Sequence, residues 1–67
     1  METLGQRIKR IRLKKGFTQK SLAEKAGFTS GQISCYEREV RKPSVDNFFY
    51  ICEALGVSMD ELYKGAE

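Results

Sequence analysis

Four hydroxyl residues, Thr18, Thr29, Ser44 and Ser58, each stand at the head of a helical pattern. There a side-chain oxygen can accept one of the backbone N–H groups that a helix leaves unpaired at its start. Three of these caps have an apolar residue immediately before them and another four residues after: Phe17 with Leu22, Phe28 with Ile33, and Val57 with Leu62. This is the hydrophobic-staple pattern. Thr29 with Gln32, and Ser58 with Glu61, add the reciprocal spacing of a capping box. Gly16, Gly27 and Gly56 supply residues able to close a helix in the left-handed conformation, and Pro43 stands just ahead of the Ser44 cap. The signals divide the chain into five helices, roughly 3 to 15, 18 to 26, 29 to 38, 44 to 55 and 58 to 64, in an all-α fold.

A chain of 67 residues without internal repeats can supply one small core, so a single domain over 1–67 is expected. No apolar run approaches the roughly 20 residues needed to span a bilayer, and the N-terminus is too densely charged for a signal peptide. A cytoplasmic location follows as the expectation. Cys35 and Cys52 are too few for a disulfide scaffold and lack the paired spacing of a zinc site, so reduced thiols and no bound metal are expected.

Helical periodicity sorts the side chains into faces. Leu4, Ile8 and Ile11 share one side of the first helix, with Arg12 at the edge of that stripe. Leu13 lies opposite, either as an ordinary exposed leucine or as part of a patch covered by the C-terminal tail or a second subunit. Leu22, Ala23 and Ala26 form a narrow stripe of small residues on the second helix. Val45, Phe48, Phe49, Cys52 and Leu55 give the fourth helix a broad apolar face, expected at the centre of the core with Cys52 as a small buried hydrophobe.

Between Gln19 and Glu37 two short helical patterns are separated by the single Gly27, the spacing of a helix-turn-helix over about 18 to 38. With Ile33 facing inward, Tyr36 and Glu37 lie within about 60° of it, whereas Gly31, Ser34, Cys35 and Arg38 fall on the far side. That outward face is small and polar, and Gly31 costs about 1 kcal/mol relative to alanine in a helix. Close approach to a ligand surface, such as the edges of base pairs in the major groove, explains such a choice. Charge agrees: residues 1 to 20 hold seven bases against Glu2 alone, a net of +6 that leaves −3 on the rest of a +3 chain.

Several segments together resemble the phage repressor and Cro-like helix-turn-helix domains, also called the XRE family. They are Gly5-Gln-Arg-Ile8, Thr18-Gln-Lys-Ser-Leu-Ala23, Ile33-Ser34, Tyr36-Glu37, Lys42-Pro-Ser44, Ala54-Leu-Gly-Val-Ser58 and Asp60-Glu-Leu62. The resemblance implies a five-helix, lambda-repressor-like domain whose second and third helices bind double-stranded DNA. It further implies a transcriptional regulator, most often a repressor, acting as a homodimer on a palindromic operator. Gln19 matches a glutamine that bonds a phosphate and braces a base-contacting side chain, with Lys20 beside it. Ser30, Gly31 and Cys35 stand where base edges are read, Gln32 and Ser34 where contacts to bases or backbone are common, and Arg38 at the end of the same face. Arg41 and Lys42 match loop residues that hold phosphates. Arg12 and Glu37 match an ion pair, and both also sit at the edge of an apolar stripe, where an unpaired charge would be costly. Met59, Leu62 and Tyr63 supply the apolar surface expected at a dimer contact.

Two positions depart from the family pattern. Glu39 replaces a glycine common two residues after the helix-three glutamate, so either the turn is rearranged or the carboxylate repels DNA phosphates. Ser30, Gly31 and Cys35 replace long amides or arginines, which favours methyl contacts and indirect readout of DNA shape over bidentate hydrogen bonds. For Cys35 the alternative is redox sensing. No histidine, phosphate-cradling glycine loop or metal-spaced carboxylate cluster points to an enzyme, and no cofactor or small-molecule substrate is implied. The competing class is a protein-interaction module, such as an antitoxin or an assembly adaptor, built on the same scaffold.

Overall fold

The computed structural model describes residues 2–64. Its five helices are α1 (Leu4–Lys14), α2 (Gln19–Ala26), α3 (Ser30–Glu37), α4 (Val45–Leu55) and α5 (Met59–Lys64). Each is one residue inside the range expected at its capped start. Met1 and residues 65 to 67 of the expected single domain lie outside the described residues.

The caps act through the hydrogen bonds that their spacing allows. Thr29 Oγ1 accepts from Gln32 N at 3.2 Å, while Gln32 Oε1 accepts from Thr29 N at 2.9 Å. Ser58 and Glu61 exchange the same pair of bonds at 3.0 Å each. The helix starts hold two further boxes that sequence reading missed. Thr3 pairs with Gln6 at the start of α1, and Thr18 with Ser21 at the start of α2, where a serine does the work of the usual Glu or Gln.

Helices α1 to α4 end alike. In each a backbone N–H reaches back five residues: Phe17 N to Arg12 O, Phe28 N to Ala23 O, Val40 N to Cys35 O, and Val57 N to Cys52 O. A residue of positive φ precedes each of these donors, and at three of the four ends it is glycine. At the end of α3 it is Glu39, with φ 63°.

The core joins Ile8 and Ile11 of α1, Leu22 and Ala23 of α2, Ile33 and Tyr36 of α3, Leu62 of α5, and a face of α4. That face differs from the expected one. Phe48, Ile51, Cys52, Ala54 and Leu55 are buried, whereas Val45 is 76% exposed and Phe49 43% exposed. The cause is the small-residue stripe of α2, which packs against α4. Ala23 and Ala26 leave room that α4 fills by turning Ile51 and Ala54 inward, which rotates Phe49 out. Leu13 is 58% exposed. Cys52 is buried as expected, and burial pushes its thiol up to about 11.

Candidate nucleic-acid interface

Helix α3 is held in place by aromatic packing beneath it and a polar network at its C-terminal end. Tyr36 and Phe28 pack in a T-shaped pair at a centroid distance of 6.4 Å, which fixes the turn between α2 and α3. The Tyr36 hydroxyl accepts from Asn47 Nδ2 of α4 at 3.1 Å. At the last turn, Arg12 of α1 grips Glu37 with two bonds, Nε to Oε2 at 2.6 Å and Nη2 to Oε1 at 3.2 Å. The Arg12 Nη1 donates to Phe17 O at 2.9 Å, and both side chains are buried. Gln19, the first residue of α2, completes the network by donating from Nε2 to Glu37 Oε1 at 3.0 Å. A carboxylate has no proton to give, so this partner fixes which end of the Gln19 amide faces inward. One N–H of Nε2 and the carbonyl Oε1 remain for a ligand.

Of the expected contact residues on α3, Ser30, Gly31, Gln32 and Arg38 are exposed, and Ser34 and Cys35 are half-buried. None is a large apolar residue. Arg38 folds back along the helix, with Nε donating to Ser34 Oγ at 3.0 Å and Nη2 lying 3.9 Å from Cys35 Sγ. Gln32 spends its amide oxygen on the Thr29 cap and keeps its NH2 group. A Cβ added at Gly31 would meet nothing nearer than Thr29 Oγ1 at 3.8 Å, so packing within the fold does not require the glycine. Lys20, Arg41 and Lys42 are exposed, and no ion pair is made by them among the described residues. The structure thus gathers Gln19 and Lys20 of α2, the outer face of α3, and the cations of the following turn around one helix-turn-helix unit.

The turn after α3 brings in two residues that sequence reasoning left without a structural role. Glu39 points its carboxylate at the start of α1, where Oε2 accepts from Gly5 N at 2.5 Å. Gly5 is required there. A Cβ at this position would lie 2.6 Å from both Glu37 O and Glu39 Oε2 and would also collide with Tyr36 O. The signal was present in the sequence as Gly5 near a helix start and Glu39 at a glycine slot, but the two are 34 residues apart.

The three residues expected at a dimer contact divide. Leu62 is fully buried and belongs to the core, because the Val57 staple and Ile8 side of the bundle close over it. Met59 is half-buried against the same core, and Tyr63 alone is exposed, its ring forming a T-shaped pair with Phe48 at a centroid distance of 6.3 Å. The α5 end is held by Arg7, whose Nη1 donates to Leu62 O at 3.1 Å and to Tyr63 O. Among the described residues no group of three His, Cys, Asp or Glu side chains is placed to hold a metal ion, and no helix is long and apolar enough to cross a membrane.

Comparison with known proteins places this geometry among relatives. The helix-turn-helix family model matches residues 8–62. The HTH-type transcriptional regulator ImmR of Bacillus subtilis (strain 168) is 40% identical over 60 residues, covering 90% of this chain and 47% of its own length. The chain spans about half the length of such relatives. Among solved structures, the P22 c2 repressor protein in complex with a synthetic operator superposes with a TM-score of 0.89 at 32% identity, over 97% of this chain and 98% of its own. The biofilm master regulator SinR in complex with DNA gives 0.84 at 38% identity, over 90% and 97%.

Proposed function

The chain belongs to the helix-turn-helix family of phage repressor and Cro-like proteins, the XRE family, and on that basis we propose that it is a sequence-specific regulator of transcription that binds double-stranded DNA. The observation that carries the proposal is the outer face of α3. It offers polar and small groups with no apolar anchor for a partner helix, and it is flanked by three cations that make no ion pair among the described residues. Solved relatives of the same fold, the P22 c2 repressor and SinR, are bound to DNA.

In this reading α3 enters the major groove with Ser30, Gly31 and Cys35 toward base edges, and Gln32 and Ser34 beside them. Gln19 gives its remaining N–H to a phosphate while Glu37 holds the amide from behind. Lys20, Arg38, Arg41 and Lys42 supply the salt-dependent attraction to the backbone. Small residues on the reading face leave specificity to methyl contacts and DNA shape more than to bidentate bonds. The protein acts in the cytoplasm as a repressor, and as a homodimer on a palindromic operator. Tyr63 offers exposed apolar surface for the dimer contact, and half-sites are spaced about 10 bp centre to centre.

Selection from a random duplex library tests the proposal, since it reports site sequence, symmetry and spacing together. Recovery of an inverted repeat with that spacing is expected. Failure to enrich any sequence would refute DNA recognition, and enrichment of a single asymmetric half-site would refute the dimer.

A further inference from the structure

Resting on the DNA-binding reading, we infer that Glu39 is a positioning residue for the phosphate-binding turn, which it anchors to the start of α1, and that its charge does not oppose DNA. Glu39 occupies the left-handed slot that glycine fills at the ends of α1, α2 and α4. A non-glycine side chain there is strained, so something must hold it. The bond to Gly5 N does so. Gly5 is the second residue of α1, one of the first four whose N–H groups have no partner within the helix. The carboxylate therefore satisfies an orphan donor at the positive end of the helix dipole.

The other side of the turn is fixed by backbone. Val40 N and Arg41 N both donate to Cys35 O, at 2.9 and 3.4 Å. These two N–H groups are thus not free to bind phosphate. With the Glu39 carboxylate bonded to Gly5 N and Val40 and Arg41 bonded back onto α3, the segment is ordered before any ligand arrives. Exposed Arg38, Arg41 and Lys42 lie on either side of the anchor. Gly5 serves the same end, because any side chain there would push α1 away from Tyr36 O, Glu37 O and the Glu39 carboxylate.

This assignment gives the opposite sign from simple charge counting. Removing an acid beside DNA-binding cations should tighten binding if the carboxylate faces phosphates. If it anchors the turn, Glu39→Gly weakens binding despite the gain in net charge, because ordering the turn is then required on association. The expected loss is about threefold to tenfold in affinity for the selected operator. Glu39→Gln keeps an acceptor for Gly5 N and stays within about twofold of the parent, with an unchanged slope of log K against log salt. Tighter binding by Glu39→Gln with a slope steeper by about one unit would overturn the proposal, as would parental affinity for Glu39→Gly. The free protein provides a readout independent of DNA. The Gly5 amide proton is expected downfield in the parent and in Glu39→Gln, and shifted upfield in Glu39→Gly. An unmoved Gly5 resonance refutes the anchor even if the protein binds no DNA, so its failure is distinct from failure of the DNA-binding reading.

Discussion

Arg12 shows how a single residue can bind three parts of the molecule. Its guanidinium holds the last turn of α3 through Glu37, the α1–α2 turn through Phe17 O, and, by way of Glu37, the Gln19 amide. Arg12→Ala leaves Glu37 as an uncompensated buried charge and is expected to lower stability by about 3–5 kcal/mol, read from urea unfolding. A midpoint equal to the parent's would show that the pair does not stabilise the fold. The two thiols provide a second test at this scale. Cys35 is half-buried on α3, while Cys52 is enclosed by the core with its ionisation pushed up to about 11. A thiol reagent at neutral pH should label Cys35 alone in the folded protein and Cys52 only as the chain unfolds. Because the folded thiol ionises later than the unfolded one, stability is held below about pH 8.5 and falls as pH rises from there toward 11. A Cys52→Ala variant should lose that alkaline decline, and an unchanged decline would assign it to other groups.

At the scale of the element, the helix ends were the most legible part of the sequence. A cap is a local device, set by residues three apart, so Thr29 with Gln32 and Ser58 with Glu61 could be read without knowing the fold. The Thr3 and Thr18 boxes use Gln6 and Ser21, and Thr18 escaped as a box because its partner is a serine. Ser58→Ala is expected to cost about 1 kcal/mol, measured by thermal or urea unfolding. The Glu61 carboxyl is held below its ordinary value by bonds from the Ser58 backbone N–H and hydroxyl. A carboxyl lowered in the folded state contributes stability above its unfolded value near 4.3 and loses it as pH falls further. Glu61→Gln should therefore blunt the loss of stability below about pH 4, and an acid limb identical to the parent's would rule the contribution out. Faces were harder to read than ends. Periodicity alone puts Val45 and Phe49 in the core and leaves Ile51 out, because the rotation of α4 depends on how small the facing residues of α2 are.

For the whole molecule, charge distribution looks different once the chain is folded. Seven bases in the first 20 residues suggest one strongly basic end, yet Arg12 is neutralised by Glu37 and Arg10 is paired with Glu2 at 2.7 Å. Arg7 lies 3.4 Å from the same Glu2 and is spent on the carbonyls of α5. Lys20 with Arg38, Arg41 and Lys42 becomes the basic group beside α3, drawn from two separate stretches of chain. Arg41→Ala is expected to weaken binding to all duplexes and lower the salt slope by about one unit, whereas mutation of Lys9 on the exposed side of α1 leaves the slope unchanged. Sedimentation tests the two-fold arrangement, with a dimer expected on operator DNA.

The sequence by itself determined the helices, their ends and which face of α3 would be left polar. Each of these depends on residues within about one or two turns of one another, where spacing alone decides which groups meet. The family pattern added Gln19 as a phosphate contact and Arg12 with Glu37 as an ion pair, and the fold joined all three through one carboxylate. Only the tertiary structure decided the rotation of α4, the burial of Leu62 and the use of Glu39. These turn on contacts between segments far apart in sequence: α4 against α2, Leu62 in a core with Ile8, and Glu39 against Gly5. A carboxylate at a glycine slot reads locally as strain and as charge facing DNA. Thirty-four residues away the fold supplies the unpaired N–H that gives it a place.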